Sequence, residues 1–269
     1  MRALSSNSRC SAWRTLRLSG FSLLALFVAT SLTAETWTLR MDVHGQRREG
    51  TALRWTKGEV QMLYRDGSME VLKRSQARNV QKQSRGFRPY SSATVRDMLM
   101  REFGAGWDVS TTVHYLVVHP MGDTSGWEQR FEMLYREMLS YFSVRGIDVH
   151  EPKFPMVAVI MPNEQAFQTY SQRLGINLGP GYLGFYVSDT NRILMFNSGA
   201  ASNVETVIHE AAHQTAFNTG IHNRFSPPPR WICEGIGTLF EAPGVYNSSK
   251  YKSRRDRINR GQYLSLIHI

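Results

Sequence analysis

The stretch His209-Glu210-Ala211-Ala212-His213 constrains this chain more than any other, because it asks for a helix with two imidazoles on one face. Residues four apart in a helix project from the same side, so both rings can reach one metal ion. Glu210 lies about 100° round from His209, close enough to take a proton from a water at the metal without ligating it. Two histidines leave the set incomplete, since a catalytic zinc site usually has three protein ligands and one open position. Glu234, in Trp231-Ile232-Cys233-Glu234-Gly235, is the obvious third.

The surroundings support a helix. Ser202 and Glu205 form an S-x-x-E capping box just before the motif. Val204, Val207, Ile208, Ala211 and Ala212 give an apolar stripe, and Gly220 is a natural stop, so the spacing predicts a helix over 203–219. Pro227-Pro228-Pro229 ends the next loop, and a second helix begins near Arg230 or Trp231, with proline suited to its first position. A buried His-Glu-His cluster is costly unless something neutralises it, which favours a metal over a plain core helix. His44, His114, His119, His150 and His222 lack ligand spacing and read as surface or satisfied core residues. Cys233 would point about 100° away from Glu234 and reads as a packed thiol.

The third ligand separates zinc classes. Metzincins carry Gly and then His in the turn after the motif, positions held here by Ala216 and Thr219, so that class is excluded. The pair HEAAH and RWICEGIGTLFE resembles the gluzincin metallopeptidases, in which a glutamate on a following helix completes the zinc site. The W-x-x-E-G-x-x-x-x-F-E run is close to that of aminopeptidase-N-like enzymes. The segment from about Ala93 to Glu241 also resembles a family of secreted bacterial proteins known only as a domain of unknown function and read as peptidases. The resemblance implies Zn2+ held by His209, His213 and Glu234, with Glu210 as general base. Glu241, two turns beyond Glu234, is a candidate to orient a ligand histidine, or else a solvated helix-end carboxylate. No G-x-M-E-N segment precedes His209, so the likeness supports a peptidase rather than an aminopeptidase. Tyr246, Tyr251 and Tyr263 are the only tyrosines after the motif, and none stands out as the residue that steadies the reaction intermediate.

The ends of the chain read differently from its middle. Residues 1–34 look like a signal peptide: Arg2, Arg9, Arg14 and Arg17, then an apolar stretch from Leu18 to Leu32, then small residues fit for cleavage after Ser31 or Ala34. The protein is therefore expected to be exported, periplasmic or secreted, with a signal anchor as the alternative. Cys10 lies too early for lipid attachment. Residues 264–269 read like a translated sequencing adapter, which would make them non-native and the catalytic domain truncated. A genuine apolar terminus is the other reading.

Between the ends, the hydrophobic content of 42% supports a packed core. Cys233 is the one cysteine after the signal, so there is no disulfide framework. Four of the 32 Lys and Arg lie in the signal, which leaves 28 against 22 Asp and Glu. Six positives fall in Lys250–Arg260 with only Asp256 opposing, a solvated face or a contact for anionic envelope polymers or headgroups. No motif indicates nucleic acid.

Short extended runs at 37–40, 51–54, 59–63 and 69–72, separated by His44-Gly45, Lys57-Gly58 and Asp66-Gly67, suggest a small SH3-like β module over 35–80. Its role would be envelope attachment, partner binding or scaffolding. Residues 81–92 read as a linker. From 93 to 263 the pattern is α+β: a helix at 94–103, a strand at 111–119, a helix at 127–142, a strand at 155–161, a helix capped by Asn163, and a hairpin of 182–187 with 192–196. Together with this pattern, the resemblance to gluzincins implies a zincin-like domain behind the β module. The same resemblance implies that its hairpin, with Gly184, Phe185 and Tyr186, pairs with an extended peptide substrate, Gly184 allowing close approach; an ordinary core hairpin is the other reading. The expected activity is hydrolysis of peptide bonds by a zinc-held water that Glu210 activates. The alternative is a zinc-stabilised, catalytically degenerate envelope binding protein.

Overall fold

The computed structural model describes residues 37–179, 181–199 and 202–260. The expected signal peptide, Tyr263 and the 264–269 tail lie outside the described residues, as does the Ser202 side chain of the expected capping box.

Five strands come first: β1 (Trp37–Val43), β2 (Gln46–Trp55), β3 (Glu59–Tyr64), β4 (Met69–Lys73) and β5 (Arg78–Arg85). They form one antiparallel sheet in the order β4-β3-β2-β1-β5. The β1–β2 turn is His44-Gly45, with φ of 50° and 77°. Two positive-φ residues match the twist of the flanking strands, which is why glycine follows a tolerant residue there. Alternation turns Leu39, Met41 and Val43 inward against Val60, Met62, Tyr64 and Leu72. β5 buries none of its residues, so no hydrophobic pattern announces it. Its pairing with β1 reaches Arg85, through the first half of the stretch read as a linker.

The rest of the chain is built round a second sheet. Helix α1 (Ser92–Phe103) starts where the Ser91 hydroxyl accepts from the Thr94 N–H. Strands β6 (Trp107–Thr111) and β7 (Tyr115–Pro120) follow as an antiparallel pair. The strand expected over 111–119 therefore begins only at Tyr115, as β7, and β6 before it was not expected. The Thr112 hydroxyl and the His114 N–H both donate to the buried Glu132 carboxylate, and this turns the chain between them.

Next come α2 (Trp127–Ser143), β8 (Met156–Met161), α3 (Glu164–Arg173), β9 (Gly184–Val187) and β10 (Arg192–Phe196). The last helices are α4 (Ser202–Asn218), α5 (Arg230–Phe240) and the single turn α6 (Pro243–Tyr246), followed by a 3-10 turn at Arg254–Arg257. Proline is not in the first position of α5 but immediately before it, at Pro229. The described residues thus form a mixed α+β fold of two sheets and six helices.

The second sheet runs β6-β7-β8-β10-β9, with β7, β8 and β10 parallel and an antiparallel strand at each edge. All six residues of β8, Met-Val-Ala-Val-Ile-Met, are buried, as expected for a strand covered on both faces. Met156, Ala158 and Ile160 face α2, α4 and α5, while Val157, Val159 and Met161 face α1 and α3. The two sheets meet where Gly67 lies against Phe154 and the Met69 N–H donates to the Asp189 carbonyl at 2.6 Å. Asp189 belongs to the turn joining β9 to β10, so the first sheet braces the hairpin beside α4.

Phe131 is fully buried on α2 and stacks on Tyr115 with ring centres 5.1 Å apart. Phe131→Ala should lower the unfolding free energy by about 3–5 kcal/mol in a urea titration. A loss below about 1 kcal/mol would contradict this account of the core.

Candidate metal centre

Helix α4 lies along the second sheet because Val207, Ile208, Ala211, Ala212 and Ala216 form its buried side. Val204, expected in that stripe, is instead 45% exposed, so burial begins one turn later. The alanines let the helix settle close to the strands, which sets the depth at which His209 and His213 emerge. Helix α5 packs across α4 and brings Glu234 to them. The contact is tight at Gly237, where an added Cβ would sit 2.5 Å from Cε1 of His209. Gly237 stands three residues after Glu234, on nearly the same face, and only glycine leaves room there for the imidazole.

Three donor atoms converge as a result. His213 Nε2 lies 2.9 Å from His209 Nε2, and Glu234 Oε2 lies 3.3 Å from the first ring and 3.7 Å from the second. Ligands of a tetrahedral zinc ion at about 2.0–2.2 Å stand about 3.3–3.6 Å apart, so the triangle fits such an ion with small adjustments. His209, His213 and Glu234 together can hold a metal ion. Two imidazoles and a carboxylate also suit a divalent ion of zinc's softness.

Two of the three donors are held from behind. His209 Nδ1 donates to Glu241 Oε1 at 2.7 Å, which fixes the tautomer that presents the Nε2 lone pair to the centre. Of the two roles open to Glu241 from sequence, the geometry shows the bond to a histidine. Glu234 Oε1 accepts from the Arg230 guanidinium one turn earlier on α5, leaving Oε2 for the histidines.

The electrostatics follow from this packing. Burial, and then the neighbouring His209, hold His213 below its ordinary range, which favours the uncharged form that a ligand needs. Burial opposes a charge on His209 as well, but the Glu241 hydrogen bond and the surrounding carboxylates outweigh it and raise that ring. Burial likewise opposes ionisation of Glu234, yet the imidazole of His213 and the Arg230 bond keep its carboxyl below the usual value.

Glu210 sits apart from the triangle. Its Oε2 accepts the Tyr186 backbone N–H at 2.6 Å, and burial pushes its carboxyl up to about 7. That value suits a group that must both take and return a proton near neutrality. The Tyr186 N–H is free to make this bond because β9 is the sheet edge. The Phe196 N–H donates to the Leu183 carbonyl, and pairing alternates from there. Phe185 and Val187 therefore bond to β10, while the main-chain groups of Gly184 and Tyr186 point outward.

The hairpin residues expected to bind substrate are placed more restrictively than the sequence implied. Gly184 does permit close approach, but of the protein itself: an added Cβ would lie 2.8 Å from Met195 Cβ and 3.1 Å from Thr206 Cγ2. The Phe185 ring packs on Phe167 under α3, on the opposite face from α4. The Tyr186 ring stacks on Phe217 and its hydroxyl donates to Asn191 Oδ1 at 2.8 Å. What these three residues offer outward is backbone.

Sequence reasoning missed Gly237 and the Tyr186 N–H. The first had a weak signal, a small residue one turn after Glu234 on the same face. The second had none, since it depends on which strand ends the sheet. Cys233 is a half-buried free thiol whose Sγ lies 3.8 Å from the Pro228 carbonyl, turned from the donors.

Residues 203–264 match the profile of a family described as "Protein of unknown function (DUF1570)". The match takes in His209, Glu210, His213, Glu234, Gly237 and Glu241. No curated protein and no solved structure matches the chain.

Gly237→Ala should lower metal affinity by about tenfold, the effect of disturbing groups that orient a ligand. Alanine favours a helix more than glycine does, so helicity by circular dichroism should hold or rise. Unchanged metal binding, measured by titration against a chelating indicator, would show that the contact does not set the position of His209.

Proposed function

We propose that the protein is an exported zinc-dependent metallopeptidase of gluzincin type, hydrolysing peptide bonds with Glu210 as general base. The observation that carries this reading is the division of labour on one helix. His209 and His213 turn their nitrogens to Glu234, while Glu210, one residue from a ligand, is held to the sheet edge with a carboxyl near pH 7. A core helix would have no use for such an arrangement, since burying imidazoles and carboxylates together carries a desolvation cost.

Zinc in this set supplies Lewis-acid chemistry, polarising a carbonyl and acidifying water. The chain supplies the rest. Glu210 Oε2 is held by the Tyr186 N–H, so Oε1 is the oxygen that takes the proton from an attacking water. As the carbon–nitrogen bond breaks, the same oxygen returns that proton to the departing amine. A scissile peptide would lie extended along β9, bonded to the outward N–H of Gly184 and the outward carbonyls of Gly184 and Tyr186. Main-chain bonds of this kind give affinity with little sequence preference. Export rests on the basic and apolar start of the chain, and none of the helices in the described residues is long and apolar enough to cross a membrane. In this reading the first sheet is an SH3-like module that braces the hairpin through Met69 and holds the enzyme to an envelope partner.

The protein should cleave casein or a mixed peptide pool, and a chelator should stop it. Intact zinc with no cleavage of any peptide would favour a binding protein instead. Glu210→Gln should abolish turnover yet keep about one zinc per chain, because its carboxylate is not a ligand; near-normal activity in that variant would overturn its role. Glu234→Ala should lose the metal, and an unchanged zinc content would remove Glu234 from the ligand set.

A further inference from the structure

We infer that Asn259 is a positioning residue for the metal ligand His209, acting through Glu241. This inference rests on the metal-centre reading above. Asn259 follows the 3-10 turn and stands 50 positions from His209 in sequence, yet its side-chain amide reaches the back of the site. One Nδ2 hydrogen goes to the Thr238 carbonyl at 2.9 Å and the other to Glu241 Oε2 at 2.5 Å. The other carboxylate oxygen, Oε1, takes the His209 Nδ1 hydrogen. Glu241 is thus gripped at both oxygens, from two elements, and cannot rotate without breaking one bond.

The grip itself is anchored. Ser253 and Asp256 cap the 3-10 turn reciprocally, and that turn packs on α6 so closely that a Cβ on Gly244 would lie 2.9 Å from the Asp256 backbone. The segment carrying Asn259 is therefore seated on α6, which follows Glu241 directly. A cavity of about 640 Å³ borders Glu241 and Asn259, with Ile208 and Tyr246 also on its wall. Without the amide, Glu241 Oε2 would face this cavity, and water there would let the carboxylate swing away from His209. A free Glu241 no longer dictates which His209 nitrogen keeps its proton, and the Nε2 lone pair is presented only part of the time. The basic run Lys250–Arg260 is on this account not simply a solvated face: its asparagine supports the metal centre.

Two variants separate positioning from general stability. Asn259→Ala removes the donor, and Asn259→Asp keeps the shape but sets a second carboxylate against Glu241. Zinc affinity, measured by chelator competition, should fall about tenfold in the alanine variant and further in the aspartate variant. The visible spectrum of the cobalt-loaded protein should change in both, since the histidine ligand is reoriented, while helicity of the metal-free proteins stays as in the wild type. Wild-type zinc affinity and an unchanged cobalt spectrum in both variants would overturn the inference and leave the metal centre standing. Should the wild-type protein bind neither zinc nor cobalt, both readings fall together.

Discussion

Three electron-rich donors held within 3.7 Å of one another are the arrangement on which the rest of the second half of the chain depends. Two imidazole nitrogens and a carboxylate repel or at best share a proton at such spacing, and nothing in an apolar interior would gather them. They converge because larger forces fix the helices that carry them. The alanine-rich side of α4 is buried against the second sheet, and α5 is drawn across it with Phe240 in the same core. The absence of a side chain at Gly237 then sets how near the two helices come. A metal ion turns this crowding from a cost into a bond, which is why the geometry reads as a site and not as an accident of packing.

Around the donors lies a polar scaffold that removes their freedom. Glu241 fixes His209, Arg230 fixes the outer oxygen of Glu234, and the Tyr186 N–H fixes Glu210. Farther along α4, the buried Gln214 amide donates to the Val157 and Asn191 carbonyls, and Asn218 exchanges hydrogen bonds with Asn191. These ties lock α4 to the hairpin in rotation as well as distance. The hairpin turn is held in its own right, by the Met69 N–H on one side and the Arg224 guanidinium, which donates to the Ser188 carbonyl, on the other. A carboxylate is only as well placed as the strand it leans on, and here that strand is braced from two directions.

The order of the second sheet decides what this scaffold exposes at its edge. With β9 at the edge, its outward carbonyls and the Gly184 N–H are the groups an added strand would meet, while its remaining outward N–H already serves Glu210. The side chains of Phe185 and Tyr186 are spent on the core and on α4. Recognition along this edge would therefore be of backbone, with side-chain preference left to whatever surrounds it.

Much of this was legible in the residues. Periodicity and caps located α1 to α5 and half of the strands to within a residue or two, because those signals are local: Asn163 does accept from the Ala166 N–H, and the His44-Gly45 turn does close its hairpin. The i, i+4 histidines and the glutamate between them were fixed by helical geometry alone, since a helix leaves no choice about which residues share a face. Sequence could not supply β5, which buries nothing, or the break at Thr112–His114, which needs Glu132 from another element. It could offer Glu234 as a partner for the histidines, but only the packing of α5 on α4 brought that oxygen within reach. The Tyr186 N–H and Asn259 belong wholly to the tertiary structure, and Gly237 almost so, its one signal in the sequence being a small residue a turn after Glu234. Each acts across a distance in the chain that no spacing rule spans, through contacts that exist only once the helices, the sheet edge and the segment after α6 have found their places.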